Sequence, residues 1–93
     1  MQIENLIWLN DVTAKLAAKH HVGTREVEEV FLDEPKFRFV EKGFRKGEDV
    51  YMALGRTYAG RYLAVLFIKK GNEALILSAR DMAPKERRLY GRK

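Results

Sequence analysis

Hydrophobic residues recur with helical spacing up to Pro35 and with strand-like spacing after it. Before Pro35, an apolar run predicts a short opening strand at 3–9, and an alanine-rich stretch predicts a helix at 10–19. A second helix is predicted at 25–32, because apolar residues three and four positions apart form one buried stripe and the acidic residues, Glu26 among them, face water. The stripe consists of Val27, Val30 and Phe31.

After Pro35, alternation predicts four β-strands joined by turn-forming residues. The predicted strands are 36–41, 50–56, 62–68 and 73–79. The strand at 62–68 is apolar on both faces, which is typical of a central strand, and Gly71-Asn72 is a two-residue hairpin signal after it. Pro84 begins a closing helix at a position where its missing N–H costs nothing. The order β-α-α-β-β-β-β-α predicts an α+β fold in one domain over residues 1–93, with helices packed against a mainly antiparallel sheet.

Composition narrows the class of protein. The chain has no cysteine, so neither disulfides nor thiolate metal sites are possible. Its start contains Glu4 and only a short apolar run, unlike a secretory signal, and no segment approaches transmembrane length. We therefore expect a cytoplasmic protein that needs no membrane, metal or cofactor.

Charge is divided unevenly along the chain. Residues 1–35 carry three Lys/Arg and seven Asp/Glu, whereas residues 36–93 carry fifteen and six. A basic surface on a small soluble domain most often binds nucleic acid phosphate. The alternative is a solvated face that only keeps the protein soluble.

The segment 74–90 brings candidate chemistry to one end of the predicted sheet. Its apolar strand runs into Arg80, and the helix that follows carries Glu86, Arg87 and Tyr90. Tyr90 lies four residues after Glu86 and three after Arg87, so the three side chains can point toward one region. Glu86 also lies three residues after Ala83, which gives half of a capping box.

Three groups of motifs together resemble the BrnT family of small toxins. They are Lys19-His20-His21-Val22 with the acidic helix 26–31, Ala53-Leu54-Gly55-Arg56-Thr57 with Gly60-Arg61, and Ser78-Ala79-Arg80 with Glu86-Arg87 and Tyr90. The family is similar in fold to the RelE-type ribonucleases of type II toxin–antitoxin systems. Two departures stand at helix ends: His21 replaces the usual glycine, and Ala83 replaces the usual threonine.

The resemblance implies a metal-independent endoribonuclease, in which a ribose 2′-OH attacks the adjacent phosphate. Such a reaction needs a base, an acid and positive charge on the transition state. The resemblance also implies RNA as substrate and a ribbon-helix-helix antitoxin as partner, with a dimer or a hetero-oligomer as possible assemblies. Two other hypotheses stay open: a noncatalytic nucleic-acid-binding module, and a degenerate toxin that serves as a partner-binding scaffold.

Eight residues are candidates for the site. The catalytic candidates are Arg80, His20, Tyr90 and Glu86, and the RNA-binding candidates are Lys19, Arg56, Arg61 and Arg87. Arginine suits phosphate because its guanidinium is a rigid, forked donor, and histidine titrates near neutral pH.

Each candidate also has an ordinary structural interpretation. Arg80 could form a salt bridge with Glu86 or Asp81, and Glu86 could serve only to orient it. The other arginines could be plain solvated side chains. His20 could interact with the helix dipole, Lys19 could extend along the surface, and Tyr90 could simply pack.

Overall fold

A five-stranded sheet organises residues 1–91, the part of the chain that this computed structural model describes. In chain order the elements are β1 (Asn5–Ile7), α1 (Asn10–Lys15), a π-helical segment (Leu16–His20), α2 (Thr24–Leu32), β2 (Lys36–Glu41), β3 (Val50–Arg56), β4 (Tyr62–Lys70), β5 (Glu73–Asp81) and α3 (Pro84–Gly91). The predicted α+β class and element order are confirmed.

The strands are arranged in the order β1-β5-β4-β3-β2. β1 runs parallel to β5, and every other neighbouring pair is antiparallel. β4 is the central strand, as its two apolar faces predicted. The hairpin between β4 and β5 turns at Gly71, which has a φ of +61°. Both of its strands extend two residues further than predicted. β4 continues to Lys70, which pairs with Glu73 at the hairpin, and β5 continues at its other end, where Arg80 and Asp81 pair with residues of β4.

One face of the sheet packs against α1, the π-helical segment and α2 and forms the core. Val27 and Val30 are fully buried there, as the predicted stripe requires. Phe31 packs its ring against Phe67 at a centroid distance of 5.4 Å. α2 approaches β3 so closely that a Cβ at Gly55 would lie 2.7 Å from a methyl of Val30. This packing fixes the position of the end of β3. Arg56 follows Gly55, so its side chain points to the opposite face of the sheet.

The other face of the sheet carries α3. Register places Leu54, Ala64 and Arg80 side by side on this face, because Leu54 lies opposite Ala64 and Ala64 lies opposite Arg80. The last turn of α3 is tied to the sheet where Lys36 Nζ donates to the Leu89 carbonyl oxygen at 3.0 Å. α3 thus lies over the face of the sheet that carries Arg80.

The first helix ends differently from an ordinary α-helix. Its last turn, Leu16–His20, is π-helical, and His21 then adopts the left-handed conformation with a φ of 54°. Left-handed backbone is unfavourable for residues with a Cβ and is the usual place for glycine after a helix. This conformation explains why the motif usually has glycine at this position, and why histidine there is strained.

Glycine at position 21 should therefore stabilise the fold. We expect His21→Gly to raise the free energy of unfolding by about 1 kcal/mol, because the left-handed backbone strain is removed. Ala18→Gly, on an exposed residue of the same helix, is the matched control and should lower it by about 1 kcal/mol. Denaturant unfolding measures both, and a loss of stability in His21→Gly would contradict the interpretation.

Candidate functional site

The predicted site residues meet at one end of the sheet, where β3 and β5 end and β4 begins. The structure divides them between the two faces. Arg56, Arg80 and the α3 residues lie on the face that carries α3. Lys19, His20 and Arg61 lie on the opposite face, beside the end of the first helix.

Arg80 and Glu86 form a two-pronged ion pair. Arg80 Nη1 lies 2.6 Å from Glu86 Oε1, and Nη2 lies 2.7 Å from Oε2. Paired parallel hydrogen bonds of this kind are among the stronger ones in proteins. Glu86 also accepts the backbone N–H of Ala83 at 2.8 Å, so the carboxylate half of the capping box is present. The salt bridge considered for Arg80 therefore exists, and its partner is Glu86.

The ion pair keeps both side chains charged. Hydrogen bonding from Arg80, reinforced by the Ala83 N–H, lowers the pKa of the Glu86 carboxyl despite its partial burial. A carboxylate held this way is a weak base, so Glu86 is better suited to orienting Arg80 than to removing a proton. Within residues 1–91, the Nε–H and the second Nη2–H of Arg80 have no hydrogen-bond partner, so these two donors are left for a ligand.

Acid should weaken the fold partly through this pair. Because the folded pKa of Glu86 is lowered, its stabilisation is complete above the unfolded pKa of about 4.3 and is lost as pH falls through the folded value. We expect Glu86→Gln to flatten the fall in unfolding free energy between about pH 5 and pH 2. Denaturant unfolding at several pH values measures this, with Glu28→Gln, at an exposed α2 carboxylate, as the control. An unchanged slope in Glu86→Gln would contradict the expectation.

A second cluster surrounds Tyr62, a residue that sequence reasoning did not select. The Arg87 guanidinium carbon lies 3.7 Å from the centroid of the Tyr62 ring, and that of Arg56 lies 5.8 Å away. The Tyr90 ring meets the Tyr62 ring edge-on, at 5.9 Å between centroids. Hydrogen bonding from Arg56, together with the charges of Arg56 and Arg87, lowers the pKa of the Tyr62 phenol. Tyr62 is thereby a stronger acid than an ordinary tyrosine.

The signal for Tyr62 was present in the sequence. Arg56 and Tyr62 end and begin neighbouring strands, and the register places them directly opposite each other. Side chains of directly opposed residues lie on the same face and interact. Pairing the two predicted strands across the 57–61 turn would have brought the phenol beside Arg56.

Arg61 occupies a different position, which we call the Arg61 clamp. Its Nε donates to Asp81 at 2.7 Å, and its two terminal nitrogens donate to the carbonyl oxygens of His21 at 2.7 Å and His20 at 2.9 Å. Glu26 lies 3.2 Å from Nη1. Glu26, expected to face water, is instead half-buried because it completes this network. Arg61 fastens the end of the first helix to the end of β5.

Lys19 and His20 are exposed residues on the clamped turn. His20 is held through its backbone carbonyl, and its side chain lies near enough to Asp81 to influence it. The pKa of the Asp81 carboxyl is lowered mainly by hydrogen bonding from Arg61, with a smaller contribution from the charge of His20. Within the described chain, no hydrogen bond or ion pair joins the His20 side chain to Arg80 or Tyr90.

The family model described as the ribonuclease toxin BrnT of type II toxin–antitoxin systems matches residues 8–86. The chain belongs to the BrnT family. A type II ribonuclease toxin acts on RNA and is paired with an antitoxin, which sets the general class of substrate and partner. The resemblance drawn from the three groups of motifs is therefore confirmed.

A solved BrnT structure shows the same fold. The crystal structure of the ribonuclease toxin BrnT from Brucella abortus aligns with a TM-score of 0.63 and 22% sequence identity. The alignment covers 85% of this chain and 96% of that one. Comparison with curated proteins gives no match. The wider likeness to RelE-type ribonucleases stays a prediction.

Residues 1–91 of this BrnT-family chain contain neither a metal-binding cluster nor a membrane-crossing helix. No group of three His, Cys, Asp or Glu side chains in residues 1–91 is arranged to hold a metal ion. Over the same residues, no helix has the length and hydrophobicity needed to cross a membrane.

Proposed function

We propose that this BrnT-family chain is a metal-independent endoribonuclease, which cleaves RNA by attack of a ribose 2′-OH on the adjacent phosphate. One observation carries the proposal: Arg56 and Arg87 lie against the Tyr62 ring at one end of the sheet, and Arg80 stands on the same face in the neighbouring strand. Arg80 lies diagonally across β4 and β5 from Tyr62, a separation of about 7–8 Å between backbones.

The three guanidiniums have the chemistry that the reaction needs. The transition state places extra negative charge on the phosphate oxygens, and fixed cationic donors stabilise it without having to reorganise. Glu86 holds Arg80 in place, and the Tyr62 ring supports Arg87 by a cation–π contact. Arg80 and Arg87 are thus positioned before RNA arrives, which favours catalysis over loose binding.

Tyr62 is the general acid in this proposal. A phenol with a lowered pKa donates a proton more readily to the leaving 5′ oxygen, and the proton of the attacking 2′-OH passes to water. His20 lies at the same end of the sheet on the opposite face, where it can contact RNA beyond the reacting phosphate but cannot share that phosphate with Tyr62. Tyr90 packs against Tyr62 and is a positioning residue, and Lys19, exposed beside His20, contributes positive charge.

We also propose where the chain acts and which partner inhibits it. As a member of a type II family, the chain is expected to act in the cytoplasm and to be silenced by a ribbon-helix-helix antitoxin, in a dimer or hetero-oligomer. A noncatalytic RNA-binding module is the second candidate, because Arg80 already has a carboxylate partner, as a structural arginine would.

Cleavage in the presence of EDTA tests the function. We expect the purified chain to cut single-stranded RNA without added metal, and to leave products ending in 2′,3′-cyclic phosphate because the 2′-OH is the nucleophile. RNA of the same sequence with 2′-O-methyl groups is the matched control and should be bound but not cut.

Other outcomes separate the alternatives. Salt-sensitive binding of unmodified RNA without products would favour the noncatalytic module. A lack of RNA affinity at physiological salt would favour the scaffold. Cleavage that requires an added divalent ion would contradict the proposed metal independence.

A further inference from the structure

The loop between β2 and β3 carries an aromatic side chain that the fold does not use. We call residues 42–49 the Phe44 loop. Phe44 is fully exposed, with a relative accessibility of 110%. An apolar ring in water contributes nothing to folding, so Phe44 is free to contact a partner.

Hydrogen bonds and an ion pair hold the Phe44 loop in a defined conformation. The Gly43 N–H donates to the Asp49 carboxylate at 3.3 Å, and the Glu48 N–H donates to the Arg45 carbonyl oxygen at 3.1 Å. A Cβ at Gly43 would lie 2.0 Å from the Glu48 carbonyl oxygen, so the two ends of the turn touch. Lys70 ties the turn to β4 through Glu48 at 2.9 Å. Phe44 is therefore presented by a preorganised support.

The charges of this loop are sorted by position. Its carboxylates, Glu48 and Asp49, are half-buried and engaged within the protein. Its cations, Lys42, Arg45 and Lys46, are exposed and form no ion pair within residues 1–91. The surface offered to a partner is an aromatic ring surrounded by three positive charges.

We propose that the Phe44 loop is a second RNA-binding site, which holds a single-stranded part of the substrate away from the cleavage site. Phe44 would stack on a base, and the three cations would contact phosphates. This combination is how proteins hold single strands without reading their sequence. The inference rests on the proposed function in one respect, that the substrate is RNA.

The position of the loop sets its role. β3 begins beside the Phe44 loop at Val50 and ends at Arg56, six residues further along. At about 3.4 Å per residue, the two sites are separated by roughly 20 Å. One RNA strand can reach both only if it is several nucleotides long. The Phe44 loop therefore contributes to the binding of long substrates and not to the chemical step.

Binding of an uncleavable RNA tests the loop. With single-stranded 2′-O-methyl RNA of about 16 nucleotides, we expect Phe44→Ala to weaken binding by about 5- to 150-fold, the equivalent of about 1–3 kcal/mol for one stacked base. Phe44→Trp should keep wild-type affinity, whereas Phe44→Leu should lose it, because leucine is apolar but cannot stack as a ring does. Fluorescence anisotropy measures all four proteins.

Salt dependence tests the three cations separately. Replacing Lys42, Arg45 and Lys46 together by alanine should reduce the slope of log affinity against log salt by about 2, since each phosphate contact on a single strand contributes about 0.7. Arg25→Ala, at an exposed cation on α2, is the control and should leave the slope unchanged.

A trinucleotide substrate separates this inference from the proposed function. If the wild type and Phe44→Ala cut the trinucleotide equally well while only the wild type binds the long RNA tightly, both proposals are supported. If both cut it and both bind the long RNA equally, the Phe44 loop is not an RNA site although the chain is a ribonuclease. If the wild type neither cuts nor binds RNA, both proposals fail.

Two further outcomes would overturn the inference. Equal affinities of Phe44→Leu and Phe44→Trp for RNA would show that ring stacking is not involved. Unchanged RNA affinity in Phe44→Ala, with a weakened complex with the antitoxin, would show that the loop binds a protein partner instead.

Discussion

Alanine at position 80 is expected to lower the rate of RNA cleavage by about 100- to 1,000-fold, the usual effect of removing one fixed donor from a charged transition state. Arg80 is held in a fixed position on the α3 face, because both of its terminal nitrogens donate hydrogen bonds to Glu86. Its Nε–H remains available for a ligand. The loss should appear in kcat more than in KM, since the donor acts on charge that develops during the reaction. Single-turnover cleavage of a fixed RNA measures it.

Two companion variants separate a catalytic Arg80 from a structural one. Arg80→Lys keeps the charge but not the fork, and should recover only part of the rate. Glu86→Gln keeps Arg80 but loosens it, so it should reduce cleavage less than Arg80→Ala does. Circular dichroism and thermal unfolding check that each variant remains folded. Wild-type cleavage by a folded Arg80→Ala protein would remove Arg80 from the site.

Local signals explain how much of the fold the sequence predicted. The Gly71-Asn72 turn fixes its hairpin, and the apolar stripe of α2 packs as its spacing indicates. The pair formed by Arg80 and Glu86 was one of two salt bridges that the sequence suggested for Arg80, because Glu86 lies six positions later with a helix start between. Interactions within one or two neighbouring elements are readable because local geometry determines them.

Interactions between distant elements were not readable in the same way. Arg61 bonds to carbonyl groups 40 and 41 positions away and to carboxylates 20 and 35 positions away. Neither carbonyl is marked by a side-chain type, so no motif reports it. The left-handed His21 and the π-helical turn were missed for the same reason: they depend on how the clamped turn meets β5.

Arg56 and Arg61 show how far the structure refines the candidate site. Both flank one turn, and sequence reasoning gave them the same predicted role. Arg56 lies beside Tyr62 on the α3 face and, within the described chain, has no carboxylate ion-pair partner. Arg61 uses its whole fork on the protein itself. This comparison favours RNA contact for Arg56 and a positioning role for Arg61.

Alanine at position 61 should accordingly act on stability first. Loss of the Arg61 guanidinium leaves the carbonyl oxygens of His20 and His21 without this donor, and leaves the half-buried Glu26 with only the Gly23 N–H. We expect the free energy of unfolding to fall by about 2 to 3 kcal/mol, less than for a fully buried pair because water reaches Asp81. For a chain of this size the melting temperature should fall by roughly 10 to 20 °C.

Arg56→Ala is the matched control, since it removes the same side chain from the other end of the same turn. We expect it to leave the melting temperature close to that of the wild type, because the Arg56 side chain is exposed, while weakening RNA binding. Thermal unfolding is measured on both variants, and RNA affinity is measured at a temperature below both melting temperatures. The two measurements give opposite rankings of the variants if the assignment is right. An Arg61→Ala protein that melts like the wild type but fails to bind RNA would instead make Arg61 a phosphate ligand, because only direct contact could then explain its effect.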